Sequence, residues 1–323
     1  MSERAPHFLV RRFLTGGCAK MKEEKIEELL CDFELAQRWL PKRQEDGHKG
    51  TFGKVMITGG SIGMAGAPAL AARAAARTGS GLVYLTVPES VYTIAAGFSP
   101  EVMTSPLPEQ NGHAAADAVF QILERLNACD AGLMGPGLGR APEISSLVCR
   151  ILEQTELPMV LDADGLYAVK DKKEILLERR KRGCVTILTP HEGEFAYLGG
   201  DLSEGRSKAA LRFAQKYGCI LVLKGPGTLT ASPDGYLYRN TTGNNGMAKG
   251  GSGDVLGGMI LSLIGQGMEP VRASALAVYI HGRAGDICRE ELSDYGMLPG
   301  DLTERIPQSI LELQRGGKIP WQI

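Results

Sequence analysis

Short runs of hydrophobic residues alternate with helical patterns along most of this chain. KVMIT, GLVYLTVP, VMTS, DAGLMG, PMVL, VTIL and CILVL are apolar or β-branched runs of strand length, and most of them end in glycines or polar residues. Alanine-rich or amphipathic segments such as APALAARAAARTG and AAADAVFQILERLN separate several of these runs. Strands that alternate with helices predict βαβ units, and hence an α/β fold with a mainly parallel central sheet and helices on both faces.

The C-terminal part of the chain has a different pattern. GYLYRN follows the turn residues SPDG, so it predicts a strand that forms a hairpin with TLTAS. Two long apolar helical patterns follow, from Ser252 to about Gln266 and from Glu269 to about Arg289, and the second contains His281.

The N-terminal part is also distinct. MKEEKIEELLCDFELAQRWL is charged and carries apolar residues at i, i+3 and i+4 spacing, which predicts an accessory helix. Because no internal repeat or long linker interrupts the rest, we predict a helical extension over residues 1–45 and one α/β domain over residues 46–323.

Composition and charge narrow the class of protein. Hydrophobic residues make up 43% and charged residues 23%, which are globular values, and the net charge of −1 favours neither nucleic acid nor an anionic membrane. No run approaches the ~18 apolar residues of a membrane span, and two arginines interrupt the apolar start MSERAPHFLVRRFL. Seven dispersed cysteines without a CxxC pair indicate reduced thiols rather than a zinc site. We expect a cytoplasmic protein.

Glycine is abundant, at 42 of 323 residues, where roughly 7% is usual. The densest stretch is TTGNNGMAKGGSGDVLGGMI, in which Gly250, Gly251 and Gly253 precede an apolar helix that begins near Asp254. A glycine-rich loop that runs into a helix N-terminus presents free backbone N–H groups and a positive dipole, which suits a phosphate group. A carboxylate beside a phosphate suits a base that takes a proton from an attacking hydroxyl. The alternative is that Ser252 or Asp254 is an ordinary helix N-cap.

Two common nucleotide-binding motifs are missing from the sequence. GxxxxGK[ST] does not occur, and neither GPGLGR nor GSGDVL completes GxGxxG. The sequence therefore predicts neither a P-loop NTPase nor a standard Rossmann dehydrogenase.

Other unusual residues also follow predicted strands, and ligands in such sheets bind at the carboxyl ends of the strands. LKGPGT places Lys224 and Thr228 in a loop that suits a nucleotide phosphate, or that is only a tight turn. In TPHEGEF, His191 suits a hydrogen bond to a polar ligand, with metal ligation or helix capping by Thr189 as alternatives.

Three further loops complete this set. LDADGL places Asp162 and Asp164 at a strand end, where a Mg²⁺-water shell and a hydrogen-bonding role at the sheet edge both stay open. GPGLG over 135–139 and GGSIGMAGA over 59–67 are typical of loops that approach a ligand closely.

These motifs in this order resemble those of the ADP-dependent NAD(P)H-hydrate dehydratases, a carbohydrate-kinase-like group with the ribokinase-like fold. The resemblance covers roughly residues 47 to 290 and rests on HKGTFGKVMITGGS, GMAGAPALAARAAARTGSGLV, GPGLG, VLDADGL, ILTPHEGEF, LVLKGPGT and GNNGMAKGGSGDVLGGMI. It implies a lyase that repairs the S-epimer of hydrated NADH or NADPH, restoring the reduced dinucleotide while ADP is split to AMP and phosphate.

The resemblance also implies roles for individual residues. Asp254 would be the base and would contact the substrate, and Ala67, Gly137 and His191 would contact the hydrated dinucleotide. The anion hole would consist of Gly250, Gly251, Ser252 and Gly253. The adenine nucleotide would be held by Lys224, Gly225, Pro226, Gly227, Thr228 and Gly253. Mg²⁺ would be held on the nucleotide phosphates rather than by a dedicated protein metal site.

Further implications concern partners. The resemblance implies a homo-oligomer, with a tetramer favoured, and a separate epimerase that acts on the same metabolite, since many relatives carry a fused N-terminal epimerase domain and only ~45 residues precede the kinase-like part here. DADGL and HEGE replace the commoner DADAL and HPGE without removing a contact. ADP is favoured over ATP because the pattern resembles bacterial members. The alternatives are a ribokinase-like vitamin or sugar kinase that uses ATP, and a non-catalytic nucleotide-binding sensor.

Overall fold

A computed structural model describes residues 27–317 of the chain. Within them, a ten-stranded sheet is formed by β1 (Leu29–Cys31), β2 (Lys54–Thr58), β3 (Leu82–Pro88), β4 (Met103–Leu107), β7 (Ala131–Met134), β8 (Met159–Leu161), β9 (Thr186–Leu188), β10 (Ile220–Leu223), β11 (Leu229–Ala231) and β12 (Leu237–Asn240). A separate short hairpin pairs β5 (Glu109–Gln110) with β6 (His113–Ala114).

The helices of the same region lie between and after these strands. They are α1 (Phe33–Trp39), α2 (Gly66–Thr78), α3 (Glu89–Ala96), α4 (Ala118–Leu126), α5 (Pro142–Gln154), α6 (Asp164–Val169), α7 (Glu174–Lys181), α8 (Glu192–Tyr197), α9 (Arg206–Tyr217), α10 (Ser252–Gly265), α11 (Pro270–Gly296) and α12 (Pro299–Gln314). A 3₁₀ turn covers Asn245–Met247, and α11 is kinked at Ser293. None of the helices described here is both long and apolar enough to cross a membrane.

The sheet is mainly parallel, as the alternation of strands and helices predicts. Its order is β1-β12-β11-β10-β9-β8-β7-β2-β3-β4, and β11 runs antiparallel to both of its neighbours. The predicted hairpin is confirmed, because β11 pairs with β12. The two predicted C-terminal helices are confirmed as α10 and α11, and His281 lies in α11.

Alternate residues of the central strands face two hydrophobic layers. In β2, Val55 and Ile57 pack in the layer that holds α2, α10 and α11, whereas Met56 packs in the layer that holds α4, α5 and α9. Strands buried on both faces read as continuous apolar runs, which is the pattern of the sequence. Helix α10 packs closely on α2, since a Cβ on Gly258 would lie 2.0 Å from the Ala71 carbonyl oxygen. The six cysteines of the described region are free and buried.

The single accessory helix predicted before residue 40 is wrong for residues 29–31. These residues form β1, which extends the sheet by pairing in parallel with β12. Helix α1 begins only at Phe33, because the carboxylate of Asp32 accepts a hydrogen bond from the Leu35 N–H (3.0 Å) and caps it. The part of the predicted helix before residue 27 lies outside the described residues. The domain boundary between residues 45 and 46 stays a prediction.

Candidate active site

Loops from neighbouring parallel strands meet the N-terminus of α10 at one edge of the sheet. The loops after β2, β7, β8, β9 and β10 all leave from the carboxyl ends of their strands. Helix α10 begins at Ser252 after Gly251, which has a left-handed φ of 103°. Gly251 is the N-cap and no side chain caps the helix, so the alternative in which Ser252 or Asp254 is the N-cap is wrong.

Gly253 lets the helix approach the partly buried ion pair of Lys224 and Asp162. A Cβ at this position would lie 3.0 Å from Nζ of Lys224 and 3.7 Å from Oδ2 of Asp162. A Cβ on Gly250, in contrast, would meet nothing within 4 Å. Gly253 therefore serves packing within the protein, whereas the space beside Gly250 is open, so that a ligand's oxygens can approach its backbone.

A cluster of opposite charges surrounds the first turn of α10. Nζ of Lys224 lies 2.9 Å from Oδ1 of Asp162 and 3.5 Å from Oε2 of Glu194. The hydroxyl of Thr189 donates to Oδ1 of Asp162 over 2.7 Å, so Thr189 does not cap the following helix as the sequence had suggested. Asp162 and Thr189 are buried, which makes these charge-assisted hydrogen bonds strong.

Asp254 has an unusually basic carboxylate. Burial, followed by the negative charge of Asp162, raises its pKa to about 7, while Lys224 acts in the opposite direction and Glu194 adds to the rise. A carboxylate with a pKa near neutrality is both substantially ionised at pH 7 and basic enough to accept a proton. The arrangement thus supports a general base at this position.

Lys224 stays charged within the same cluster. Burial alone would lower the pKa of its ammonium group, but the carboxylates of Asp162, Glu194 and Asp254 outweigh burial and raise it. The sequence suggested Lys224 only as a partner for a phosphate. Its contacts in the structure are with Asp162 and Glu194, and its charge also lowers the pKa of Asp254.

The loop after β10 is held by a residue that the sequence did not single out. Nη1 of Arg206 donates to the Pro226 carbonyl over 2.6 Å, and the Thr228 hydroxyl donates to the Gly225 carbonyl over 2.9 Å. Gly225 and Gly227 have φ values of 144° and 59°, which favour glycine. The GPGT segment is therefore a fixed turn beside Lys224.

His191 caps helix α8. Its Nδ1 accepts a hydrogen bond from the Glu194 N–H (3.2 Å), and Oε2 of Glu194 accepts one from the His191 N–H (2.9 Å). The imidazole is 57% exposed, and its Nε2 lies 3.5 Å from Oε2 of Glu194. Within residues 27–317, no set of three or more His, Cys, Asp or Glu residues is arranged to ligate a metal ion.

The loops after β2 and β7 contact each other at the same edge of the sheet. Gly137 has a φ of 64°, and a Cβ on it would lie 2.7 Å from the Met64 carbonyl oxygen and 3.5 Å from Cβ of Ala67. Ser61 donates its hydroxyl hydrogen to the Gly137 carbonyl over 2.8 Å. The structure thus brings together Ala67 and Gly137, which are 70 residues apart in the chain.

The second aspartate of DADGL orients a different loop. Asp164 accepts a hydrogen bond from the Gly139 N–H and another from Nε of Arg140, each over 2.9 Å. Ala163, between the two aspartates, has a φ of 48°, a rare value for a residue other than glycine that costs on the order of 1–3 kcal/mol. Asp162 and Asp164 therefore serve different loops at the same strand end.

Helix α11 supplies two polar residues behind the glycine loop. The Asp286 carboxylate accepts hydrogen bonds from the Gly243 N–H and from Nδ2 of Asn244, each over 3.0 Å. His281 is buried, and burial lowers its pKa to about 4, although the backbone of Ser252 acts in the opposite direction. The only sequence signal for either residue was a polar side chain within an apolar helical pattern.

Comparison with known proteins identifies the family. The carbohydrate-kinase family model, described as NAD(P)H-hydrate dehydratase, matches residues 55–308. A bifunctional NAD(P)H-hydrate repair enzyme from Moorella thermoacetica is 42% identical over 280 residues, which cover 85% of this chain and 52% of that protein. An ADP-dependent (S)-NAD(P)H-hydrate dehydratase from Neisseria meningitidis is 39% identical over 268 residues, covering 80% of this chain and 86% of that protein. The chain spans about half the length of the bifunctional relatives.

Solved structures agree with the family match. The crystal structure of the ADP/ATP-dependent NAD(P)H-hydrate dehydratase from Bacillus subtilis, co-crystallised with ATP and Mg²⁺, has a TM-score of 0.73 at 28% identity and covers 88% of this chain and 98% of its own. Ribokinase from Thermotoga maritima, at 14% identity and a TM-score of 0.52 over 82% of this chain and all of its own, shares the fold alone. The fold is ribokinase-like, and the chain belongs to the NAD(P)H-hydrate dehydratase family.

Proposed function

We propose that this chain is a lyase that dehydrates the S-epimer of hydrated NADH or NADPH, with ADP as the phosphoryl donor and with AMP and phosphate as the other products. The observation that carries the proposal is the position of Asp254, a carboxylate with a pKa near 7 in the first turn of α10 beside an open glycine loop. The name of the Neisseria relative, which matches over most of its length, supports this activity rather than a vitamin or sugar kinase.

The proposed reaction has two stages. Asp254 accepts the proton of the substrate's ring hydroxyl, whose oxygen attacks the β-phosphorus of ADP, and the bond from that phosphorus to the oxygen bridging to the α-phosphate breaks, which releases AMP. The phosphorylated ring then loses phosphate together with a proton from the adjacent ring carbon, and a carbon–carbon double bond forms. The net result is the loss of water from the hydrate and the hydrolysis of ADP to AMP and phosphate.

The glycine loop would bind the transferred group. Backbone N–H groups of Gly250, Gly251 and Gly253 at the positive end of α10 suit the charge that develops on the phosphoryl oxygens. The Ser252 N–H donates to the Lys249 carbonyl over 3.2 Å and would have to share its hydrogen with the phosphoryl group. Open space beside Gly250 supports this role. Lys224, Gly225, Pro226, Gly227 and Thr228, together with Gly253, would hold the adenine nucleotide.

The hydrated dinucleotide would lie on the side of β2 and β7, opposite the nucleotide loop of β10 in the strand order. Ala67 and Gly137 would contact it through the small surface where their loops meet, and the exposed imidazole of His191 would donate or accept a hydrogen bond. Asp254 lies in the first turn of α10, next to the glycine loop.

The oxygen atoms available at the site fit a Mg²⁺ ion that is bound to the nucleotide phosphates. Oδ1 of Asp162 is occupied by Lys224 and Thr189, and Oδ2 accepts no hydrogen bond from the described residues, so one carboxylate oxygen is free for a hydrated ion. Mg²⁺ prefers such oxygen ligands and usually keeps several waters. When bound, it would neutralise phosphate charge. The Bacillus relative's co-crystallisation with ATP and Mg²⁺ supports this assignment.

Partners and assembly belong to the same proposal. We propose a homo-oligomer, with a tetramer as the expected state, located in the cytoplasm. A separate epimerase would convert the R-hydrate into the S-hydrate that this chain consumes, and the bifunctional repair enzymes among the relatives support that pairing of activities.

The direct test supplies purified protein with the S-hydrate of NADH and either ADP or ATP, and follows the return of NADH absorbance. Recovery is expected with ADP, and the R-hydrate should recover only after an epimerase is added. Failure of the S-hydrate to recover with both nucleotides would overturn the proposal. Accumulation of a stable phosphorylated product would instead favour a kinase.

A further inference from the structure

Arg140 combines a fixed position with free hydrogen-bond donors. It follows the GPGLG loop directly, and its Nε donates to the buried carboxylate of Asp164 over 2.9 Å. Of the described residues, Asp164 alone accepts a hydrogen bond from this guanidinium, so both terminal nitrogens stay available. The side chain is 53% exposed. A guanidinium held at one edge and open at the other is a common arrangement for binding phosphate.

Aromatic rings and a second cation surround Arg140. Its guanidinium carbon lies 4.9 Å from the ring centroid of Tyr167, and Nζ of Lys170 lies 3.9 Å from the same centroid. The ring of Tyr197 is 60% exposed on the wall of the same recess. The group therefore offers two positive charges and an exposed aromatic surface, which suits a ligand that has both phosphates and planar rings.

This recess adjoins the charged cluster. Glu194 lines the recess with Arg140 and Tyr197, and Oε2 of Glu194 also lies 3.5 Å from Nζ of Lys224. Around the first turn of α10, the carboxylates of Asp162, Asp164, Glu194 and Asp254 outnumber the ammonium of Lys224. An anionic substrate that approaches Asp254 therefore needs a compensating cation, and Arg140 lies on the β7 side, where the proposed substrate loops meet.

We propose that Arg140 is a substrate-binding residue whose free guanidinium nitrogens hold phosphate oxygens of the dinucleotide, with Tyr197 as a stacking surface for one of its rings. This assignment rests on the proposed function. The phosphate oxygens have two sources, the diphosphate linkage common to NADH and NADPH and the 2′-phosphate of NADPH alone.

The test measures the affinity of NADH, NADPH and ADP by calorimetry for the wild type and for Arg140→Gln, whose amide can still donate to Asp164 while its charge is lost. Affinity for the dinucleotides should fall by about 10- to 100-fold, the range of one charge-assisted hydrogen bond. If the affinity falls for both dinucleotides, Arg140 binds the diphosphate linkage. If it falls for NADPH alone, Arg140 binds the 2′-phosphate. ADP affinity should change by less than about twofold.

Two controls separate binding from structural effects. Arg150→Gln removes a guanidinium that lies over Phe120 instead, 5.8 Å from its ring centroid, and should leave dinucleotide affinity unchanged. Reduced nicotinamide riboside, which has no phosphate, should bind wild type and Arg140→Gln equally. The proposal would be overturned if wild type and Arg140→Gln bound the dinucleotides with equal affinity, or if the wild type bound no dinucleotide. It would also be overturned if Arg140→Gln lost as much affinity for the riboside as for the dinucleotides. Because these measurements involve no turnover, they are independent of failure in the dehydration assay.

Discussion

The partly buried Lys224 ammonium and the buried Asp162 carboxylate form an ion pair, 2.9 Å from Nζ to Oδ1, next to Gly253 in the first turn of α10. The pair lies next to Asp254 and acts on it in opposite directions, since Asp162 raises the pKa of Asp254 and Lys224 lowers it. Burial is the largest cause of the raised pKa of Asp254, and the opposing charges of Asp162 and Lys224 adjust it to the range near neutrality that suits a base.

Removal of Lys224 should make Asp254 still harder to ionise. The base must be deprotonated to act, so the rate of the wild type should rise with pH through a pKa of about 7. In Lys224→Met this rise should move to higher pH by about one unit or more, because an opposite charge is lost. The measurement is the pH profile of kcat/KM, with Lys181→Met as the control on an exposed lysine. An unshifted profile would mean that Lys224 does not control the base.

Replacement of Asp254 should separate catalysis from binding. Asp254→Asn keeps the shape of the side chain but cannot accept the proton, so kcat should fall by roughly 10²- to 10⁴-fold. ADP affinity should stay within about threefold, since the glycine loop is intact. Calorimetry and the NADH absorbance assay measure the two quantities. The exposed Asp171→Asn is the matched control. Wild-type turnover in Asp254→Asn would remove Asp254 from the role of base.

The same substitution should stabilise the protein at alkaline pH. The pKa of Asp254 is raised from its usual value of 3.8 to about 7 in the folded state, so its contribution to stability is fully present below about pH 4 and is lost as the pH rises through about 7. Asp254→Asn removes that loss. Urea unfolding should show a gain of on the order of 2–4 kcal/mol at pH 8 and a much smaller change at pH 4. An equal effect at both pH values would contradict the raised pKa.

Gly250 offers a test of the glycine loop that spares the fold. A Cβ at Gly250 meets nothing within 4 Å, and its φ is not left-handed, so Gly250→Ala should fold with wild-type stability. If phosphate oxygens approach the backbone here, the added methyl group should weaken ADP binding by about tenfold or more. Gly300→Ala, at another helix start with equally open space, is the control for both measurements. Unchanged ADP affinity in Gly250→Ala would exclude close contact of the phosphate with this residue.

Arg179 should matter for stability and not for chemistry. Its buried guanidinium donates to the carbonyls of Leu152 (2.7 Å), Thr155 (2.6 Å) and Leu157 (2.7 Å), and burial lowers its pKa to about 10. Arg179→Met leaves these acceptors unpaired and should cost about 3–5 kcal/mol of unfolding free energy. Arg180→Met removes an exposed ion pair and should cost less than about 1 kcal/mol. Similar losses in the two variants would refute the structural role of Arg179.

The sheet and the loops of the candidate site were predictable because their determinants are local. Each central strand is a short apolar run in the sequence. The glycines and the polar residues of KGPGT, DAD and GGSGD indicate the loops that follow these strands or precede a helix. The strand Leu29–Cys31 was not predictable in this way. Its apolar residues also fit a helix, and pairing with Leu237–Asn240, some 200 residues away, decides between the two.

The hydrogen bonds and ion pairs between site residues could not be predicted from the sequence for the same reason. Nothing local links Lys224 to Asp162, 62 residues earlier, or distinguishes Asp162, which pairs with Lys224, from Asp164, which pairs with Arg140. Thr189 lies just before helix α8, and threonine is a residue type that commonly caps a helix N-terminus. The preceding strand carries its hydroxyl to Asp162 instead, and His191 makes the cap.

Product stoichiometry in a single mixture of protein, ADP and the S-hydrate of NADH tests the central claim most directly. Phosphorus NMR and chromatography would follow AMP, phosphate, NADH and any phosphorylated hydrate together. Phosphoryl transfer from ADP to the hydroxyl that Asp254 deprotonates, followed by elimination, predicts one AMP and one phosphate for every NADH formed, with no lasting phosphorylated intermediate. Release of AMP without NADH, or a phosphorylated hydrate as the final product, would contradict it.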